Sequence, residues 1–253
     1  MELSIFSIFP LMLIIALGCY IQTNTGFAFA LIVMSLGAAT SALPLSELAL
    51  VISFLSLVNS TTALKGAIKH VDARLMKWLF CGIIPGALIG VWWLSQLSDS
   101  SQNQLKVLLG GSILISALLL MRKPAEQNQH ASRKTIAMTG IFAGIMGGLF
   151  STFGPPIAYL LYRQPIALKV VLNTLLATFW LTSVLRIGTV HVLSSVDTQV
   201  YWLALLGAPW IIVSTHLSKK FPPMMSERRL RNVALILLVF SGISILATGL
   251  IEL

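Results

Sequence analysis

The chain alternates between long apolar stretches and short polar loops. Eight of the stretches approach or reach the length of about 20 residues that a helix needs to cross a bilayer core of ~30 Å. Two shorter apolar stretches each follow a polar break that contains glycine. The pattern predicts helices over 4–22, 44–64, 75–95, 103–121, 134–150, 166–188, 199–218 and 230–251, with short helices over 27–40 and 155–162.

The two polar breaks interrupt regions that are otherwise apolar. The first break is 22–26, with the sequence QTNTG, and the second is 151–156, with the sequence STFGPP. The Pro155-Pro156 pair removes two backbone donors and cannot continue a helix interior. Because irregular backbone cannot face lipid, both breaks are predicted to lie in the protein interior.

The composition excludes most soluble proteins. Of the 253 residues, 57% are hydrophobic and only 10% are charged, whereas soluble domains average about 45–50% apolar and about 25% charged residues. One globular domain of this length has no core large enough to bury so much apolar surface. We therefore exclude a soluble enzyme, a disordered chain and a secreted disulfide scaffold, and predict an all-α integral membrane protein.

The net charge of +9 is carried by a few loops. Loops 65–77, 122–134, 163–169 and 219–231 hold 15 of the 17 Lys and Arg residues. Such loops are typical of the cytoplasmic side of a membrane protein, so we expect no nucleic-acid partner. Two topologies place all four loops in the cytoplasm. Either ten segments cross the membrane, or 4–40 and 134–162 are re-entrant hairpins; both alternatives put the two termini outside.

The two halves of the chain resemble each other. Asp72 and Asp197 each precede a long apolar run with a glycine ten residues on, and the offset is 125 residues. Asn59 and Arg186 correspond at an offset of 127 residues. The charge-derived topology places Asp72 inside and Asp197 outside, so repeats over 1–124 and 125–253 are predicted to be inverted. Inverted repeats with broken helices at their interface are typical of transporters.

Motifs for enzyme chemistry are absent from the sequence. It contains no nucleophile elbow, zinc-binding helix or phosphate-binding glycine loop, and no carboxylate pair for acid–base work. We predict that the protein is not an enzyme and has no catalytic residue, metal or cofactor. Glycines at four-residue spacing favour close helix packing instead; they are Gly82, Gly86, Gly90, Gly140, Gly144 and Gly148.

The breaks are the best candidate binding site. A helix that starts after unwound backbone has free N–H groups and a positive dipole end, which together attract an anion. Arg186 is predicted to add charge, or alternatively to anchor its helix at the outer interface. Asn59 either binds the ligand or joins two helices. The candidate residues are Asn24, Thr25, Gly26, Asn59, Ser151, Thr152, Gly154, Pro155, Pro156 and Arg186.

Two runs at the breaks carry a family resemblance. Residues 144–156, GIMGGLFSTFGPP, resemble the second-half signature of the sulfite exporter TauE/SafE family, and residues 18–31, GCYIQTNTGFAFAL, resemble its first-half counterpart. Ala28 stands where members often have glycine. The resemblance covers both halves and implies a multi-pass permease of the bacterial inner membrane. Its substrate would be a small anion such as sulfite, a sulfonate or a small organic acid.

Export is the expected direction of transport. An inside-negative potential favours anion exit by ~2.3 kcal/mol per charge per 100 mV, and no carboxylate relay is needed. The alternative is a membrane scaffold or assembly protein without transport activity. The longest loops have only about a dozen residues, which disfavours the scaffold. The predicted partners are the anion and the lipid bilayer, and assembly into a homo-oligomer is left open.

Overall fold

Ten α-helices form within the part of the chain that the computed structural model describes, which is residues 5–25, 27–39, 43–98, 102–121, 129–193, 195–221 and 227–251. Every predicted long and short helix is confirmed. A single 3-10 turn, Ile68–His70, precedes α4. The helices are α1 Ile5–Thr25, α2 Phe29–Ala39, α3 Leu45–Leu64, α4 Ala73–Ser98, α5 Gln102–Met121, α6 Arg133–Phe150, α7 Gly154–Tyr162, α8 Leu168–Leu193, α9 Thr198–Lys220 and α10 Glu227–Ile251.

The helices have the length and surface of a membrane protein. Among the described residues, α3, α4, α8 and α9 are long and apolar enough to cross a bilayer, and shorter apolar helices lie within α1, α2, α5 and α10. Large apolar side chains cover outer faces, including Trp92 and Trp93 on α4 and Trp202 on α9. Such a surface suits contact with lipid, and the prediction of an all-α membrane protein is confirmed.

Each polar break lies at the tip of a helical hairpin. On α1, Gly18 lies beside Phe29 of α2, whereas Leu11 near the other end of α1 lies beside Gly37. The two helices are therefore antiparallel. In the second hairpin, Gly147 of α6 lies beside Phe153. Re-entrant hairpins and ten crossings both contain such antiparallel pairs, so the choice between the two topologies stays a prediction.

The outer ends of the second hairpin also come together. The backbone N–H of Ala131, just before α6, donates to Gln164 Oε1, just after α7, at 3.0 Å. Both ends of this hairpin consequently lie at the same end of the helix bundle.

The predicted glycine packing is confirmed at the contact between α4 and α6. These helices run side by side in the same direction, with each glycine of one against the backbone of the other. A Cβ atom added to Gly144 would lie 2.6 Å from the carbonyl oxygen of Ile83. Close approach of this kind needs residues without side chains.

Helices that correspond in the two halves pack against each other in opposite directions. Trp180 of α8 donates to Thr61 of α3, and His191 near the end of α8 contacts Phe54 of α3. Between α5 and α10, Gly110 lies beside Leu246. Corresponding helices of two inverted repeats must run in opposite directions, as these pairs do. The repeat itself stays a prediction.

Each half packs a long helix against the hairpin of the other half. Helix α4 packs on α6, the first helix of the second hairpin, and α9 packs on α1, the first helix of the first hairpin. Asp72 and Asp197 accept hydrogen bonds from the first turns of α4 and α9. The helices that follow the breaks, α2 and α7, begin at Phe29 and Gly154, again 125 residues apart.

Candidate functional site

A small cavity lies where the two hairpin tips meet, about midway along α3 and α8. Its free space for the centre of a water molecule is about 20 Å³, enough for one or two water-sized groups. Both breaks contribute to its wall. The lining residues are Gln22, Ala28, Ala30, Leu31, Ser56, Ser151, Thr152, Phe153, Gly154, Pro155, Phe179, Thr182 and Ser183.

Gln22 lines this cavity and carries a hydrogen-bond donor without a partner. Its side chain is 2% exposed, and Oε1 accepts the backbone N–H of Phe29 at 3.2 Å. Since a backbone N–H needs an acceptor, this bond fixes the amide orientation and turns Nε2 away. Nε2 has no hydrogen-bond partner. A buried amide donor without a partner is costly, so the site is prepared for an acceptor.

The start of α2 adds backbone donors on the same side. Ala30 and Leu31 line the cavity and lie in the first turn of α2. Their N–H groups have no acceptor within the helix, because the helical ladder begins with the bond from Ile32 N to Ala28 O. The positive end of the helix dipole lies here too.

The backbone of the first break is strained at Ala28. Its φ is 97°, in the left-handed region that favours glycine. The residue is 5% exposed and its methyl group lies in the cavity wall. Gly26 lies outside the described residues, and so does the side chain of Thr25.

The second break is shaped by a left-handed residue and two prolines. Ser151 ends α6 with a φ of 60°, and its hydroxyl lies 2.9 Å from that of Ser53. Thr152 Oγ1 donates to the Met146 carbonyl at 3.3 Å. Pro155 and Pro156 follow the first residue of α7 and carry no N–H. This tip therefore offers fewer free donors than the predicted helix N-terminus would.

Arg186 is buried beside the second break but does not line the cavity. It is 1% exposed, and Nη1 donates to the carbonyl of Gly147 at 3.0 Å and also to that of Gly148. Nε and Nη2 have no partner. The residue lies one helical turn beyond Ser183 on α8.

Asn24 and Asn59 join helices outside the cavity wall. Asn24 Nδ2 donates to Tyr20 O at 2.9 Å and to Ser218 Oγ of α9 at 2.5 Å. Asn59 Oδ1 accepts from Thr215 Oγ1 of α9 at 3.1 Å. Asn59 lies one turn from the cavity residue Ser56.

Four of the predicted site residues line the cavity, namely Ser151, Thr152, Gly154 and Pro155. Pro156 is buried in the next position of α7. Sequence reasoning missed polar residues that do line it. Gln22 opens the first polar break, so the break itself could have identified it. Ser56, Thr182 and Ser183 are polar residues within apolar spans and gave a weaker signal.

The comparisons with known proteins agree with the family resemblance that the sequence carries. The family model described as Sulfite exporter TauE/SafE matches residues 11–245. The chain belongs to this family. A curated TauE/SafE relative from Cupriavidus necator, named "Probable sulfite/organosulfonate exporter TauE", is 34% identical over 229 residues, which is 90% of each protein. No solved structure matches the chain.

Membership of the TauE/SafE family confirms the resemblance carried by the two breaks. The matched region contains the second hairpin, the first hairpin from residue 11 onward and all the described residues of the cavity wall. TauE/SafE proteins are transporters, so the chain is a multi-pass membrane transporter and the prediction that it is not an enzyme is confirmed.

Proposed function

We propose that the protein exports a small oxyanion, either sulfite or an organosulfonate, across the inner membrane of a bacterium. The cavity between the two hairpin tips is its binding site. The observation that carries the proposal is the free Nε2 of Gln22, a buried donor held in place by Phe29 and directed away from it.

The chemistry of the cavity suits an anion better than a cation. None of the described residues that line it has a charged side chain, and the first hairpin tip carries donors: the unpartnered Gln22 Nε2 and the N–H groups of Ala30 and Leu31, which have no acceptor within α2. The dipole of α2 adds partial positive charge at the same place. A bound cation would instead need several oxygen ligands.

The dimensions of the cavity favour a compact group. Free space of about 20 Å³ favours a compact group over one with a long substituent. Sulfite and the sulfonate group both fit this description, and the name of the Cupriavidus necator relative includes both. A small carboxylate is the third candidate.

Export follows from the electrical driving force. No aspartate or glutamate is among the residues that line the cavity, so the wall provides no carboxylate relay for protons. An inside-negative potential drives an anion outward by ~2.3 kcal/mol per charge per 100 mV. Flux of the anion therefore needs no coupling ion.

The predicted site residues take different parts in this proposal. Ser151, Thr152, Gly154 and Pro155 form the wall opposite Gln22, and Pro156 fixes the first turn of α7. Asn24, Thr25 and Gly26 belong to the first break. Asn59 lies one turn along α3 from the cavity, and Arg186 adds a buried positive charge on the other side.

Gln22→Glu tests the site. Glutamate keeps an oxygen for the Phe29 N–H but replaces the free amide donor with a second oxygen. We expect methanesulfonate efflux from proteoliposomes, driven by an imposed potential, to lose at least tenfold in apparent affinity, because a buried charged-ligand hydrogen bond contributes about 1.5–3 kcal/mol.

The matched control is Gln104→Glu, at an exposed position on α5, which should transport normally. Equal efflux by both variants would remove Gln22 from the site. Absence of potential-driven efflux of sulfite and methanesulfonate in the wild type would overturn the proposed function.

We also propose that the two repeats, 1–124 and 125–253, are inverted and that both termini face the periplasm. The four basic loops define the cytoplasmic side, and the antiparallel pairing of α3 with α8 supports the inversion. A C-terminal alkaline phosphatase fusion should be active, and a C-terminal fluorescent protein that folds only in the cytoplasm should be dark. The reverse pattern would contradict the topology.

A further inference from the structure

We infer that Arg186 forms a second oxyanion station on the outer side of the cavity, where the free edge of its guanidinium binds two oxygens of the exported anion. The inference rests on the proposed function. It assigns to Arg186 a direct contact with substrate during exit, beyond the general effect of a buried charge.

The hydrogen bonds of Arg186 leave one edge of the guanidinium vacant. Nη1 is anchored by the carbonyls of Gly147 and Gly148, which belong to the last turn of α6. Nε and Nη2 have no partner. These two nitrogens share the side edge of the planar group, and their N–H bonds run parallel. Such a fork matches two oxygens of a single sulfonate, carboxylate or phosphate group.

The burial of Arg186 makes the vacant edge significant. The side chain is 1% exposed, so water does not solvate the remaining N–H groups. None of the hydrogen bonds found for Arg186 within the described residues goes to an aspartate or glutamate. The carbonyls at the C-terminal end of α6 offset part of the charge. A buried cation with three unused N–H groups is complete only when an anion joins it.

The position of Arg186 places it next along the exit path. Thr182 and Ser183 line the cavity, and Arg186 follows them by four and three residues, on the same face of α8. The step is one helical turn, about 5 Å along the axis. In the proposed topology α8 runs outward, so an anion that leaves the cavity toward the periplasm meets the free edge of Arg186 first.

A purely structural role for Arg186 has a different requirement. Holding the end of α6 uses only Nη1, and a lysine Nζ can donate to the same carbonyls while keeping the positive charge. Lysine cannot reproduce the paired N–H groups of the vacant edge. Arg186→Lys therefore separates the two roles.

The experiment compares Arg186→Lys and Arg186→Gln with the wild type in detergent, using sodium methanesulfonate as the probe. We expect the lysine variant to keep a Tm close to that of the wild type and to bind about tenfold more weakly. We expect the glutamine variant to bind at least thirtyfold more weakly, because both the fork and the charge are lost. Arg133→Lys and Arg133→Gln, at an exposed position of α6, are the matched controls.

Anion selectivity gives a readout that a structural role would not change. The fork recognises two oxygens of one group, so the preference for methanesulfonate over chloride should fall in Arg186→Lys. Wild-type affinity together with wild-type selectivity in this variant would overturn the inference. A wild type that shows no potential-driven efflux of sulfite or methanesulfonate is a separate result, which would contradict the proposed function itself.

A measurement on the wild type covers the case in which the variants are unstable. The ¹⁵Nε–¹H resonance of Arg186, assigned in the wild type by through-bond correlation from the backbone of residue 186, should shift when methanesulfonate is added. A resonance that stays in place at saturating ligand would overturn the second station, whatever the stability of the variants.

Discussion

The tips of the two hairpins enclose one cavity but bring different chemistry to it. The α1–α2 tip carries an unpartnered side-chain donor, Gln22 Nε2, and the N–H groups of Ala30 and Leu31, which have no acceptor within the helix. At the α6–α7 tip, the hydroxyls of Ser151 and Thr152 already bond to protein oxygens, and the prolines have no N–H. The first tip therefore carries an unpartnered side-chain donor, whereas the hydroxyls of the second tip are already bonded.

This division bears on how a substrate is released. A site in which both tips held the anion with equal strength would bind it tightly in every conformation. In this protein the donors lie on the first half of the chain and the wall lies on the second half. If the halves move relative to each other, the shape of the site changes, but the donors on the first half stay together. In the route proposed above, a released anion would next meet Arg186 on α8, which belongs to the same half as the wall.

The largest expected effect comes from filling the wall at Gly154. An added Cβ would lie 3.4 Å from Phe179 Cζ and 3.5 Å from Phe27 Cβ, which is ordinary contact. Alanine therefore fits, whereas the branched end of leucine would have to enter a cavity of about 20 Å³. We expect Gly154→Ala to transport methanesulfonate and Gly154→Leu to lose at least a hundredfold in efflux while still inserting into the membrane.

Gly111→Leu is the matched control, because a Cβ there meets nothing within 4 Å. It should insert and transport as the wild type does. Wild-type efflux by Gly154→Leu would show that the second tip lies away from the path of the anion. Gly144→Leu would be a poor control, since its Cβ would meet the backbone of α4 and disturb folding.

The hydropathy pattern predicted the helices well but could not show which of their faces meet. All ten helices agree with apolar stretches, because crossing or entering a bilayer demands length and apolar character. Placing all four basic loops in the cytoplasm reduced the topology to two alternatives. Contacts such as that of Gly18 with Phe29 show that α1 and α2 pack antiparallel, which the hydropathy pattern could not show because packing depends on three-dimensional neighbours.

The site was harder to predict than the fold for the same reason. Helices that are apolar all round carry no stripe that reveals their inward face. The sequence paired Asn59 with Arg186 at an offset of 127 residues. The aspartates that precede α4 and α9, Asp72 and Asp197, are 125 residues apart, so the two pairs do not share one offset. The structure places the first pair one turn from the cavity residues Ser56 and Ser183, on different helices. The orientation of the Gln22 amide depends on Phe29 and has no signature in sequence.

The smallest expected effect concerns the backbone at the first tip. Ala28 has a φ of 97°, and a Cβ in the left-handed region costs about 1–2 kcal/mol. Glycine removes this strain but adds roughly 0.5–1 kcal/mol of unfolded-state entropy. Ala28→Gly should therefore raise the free energy of unfolding by up to about 1 kcal/mol and change methanesulfonate affinity less than threefold.

The second tip provides the comparison that makes this prediction specific. Ser151 also has a positive φ, 60°, but its hydroxyl bonds to Ser53 at 2.9 Å. Ser151→Gly relieves the backbone and loses that buried bond, worth about 0.5–1.5 kcal/mol, so it should not stabilise the protein. Thermal unfolding in one detergent ranks the variants, with Ala177→Gly, at a buried position in the middle of α8, as the ordinary helical control. A lower Tm for Ala28→Gly than for Ala177→Gly would mean that the packing contacts of the Ala28 methyl group outweigh its backbone strain.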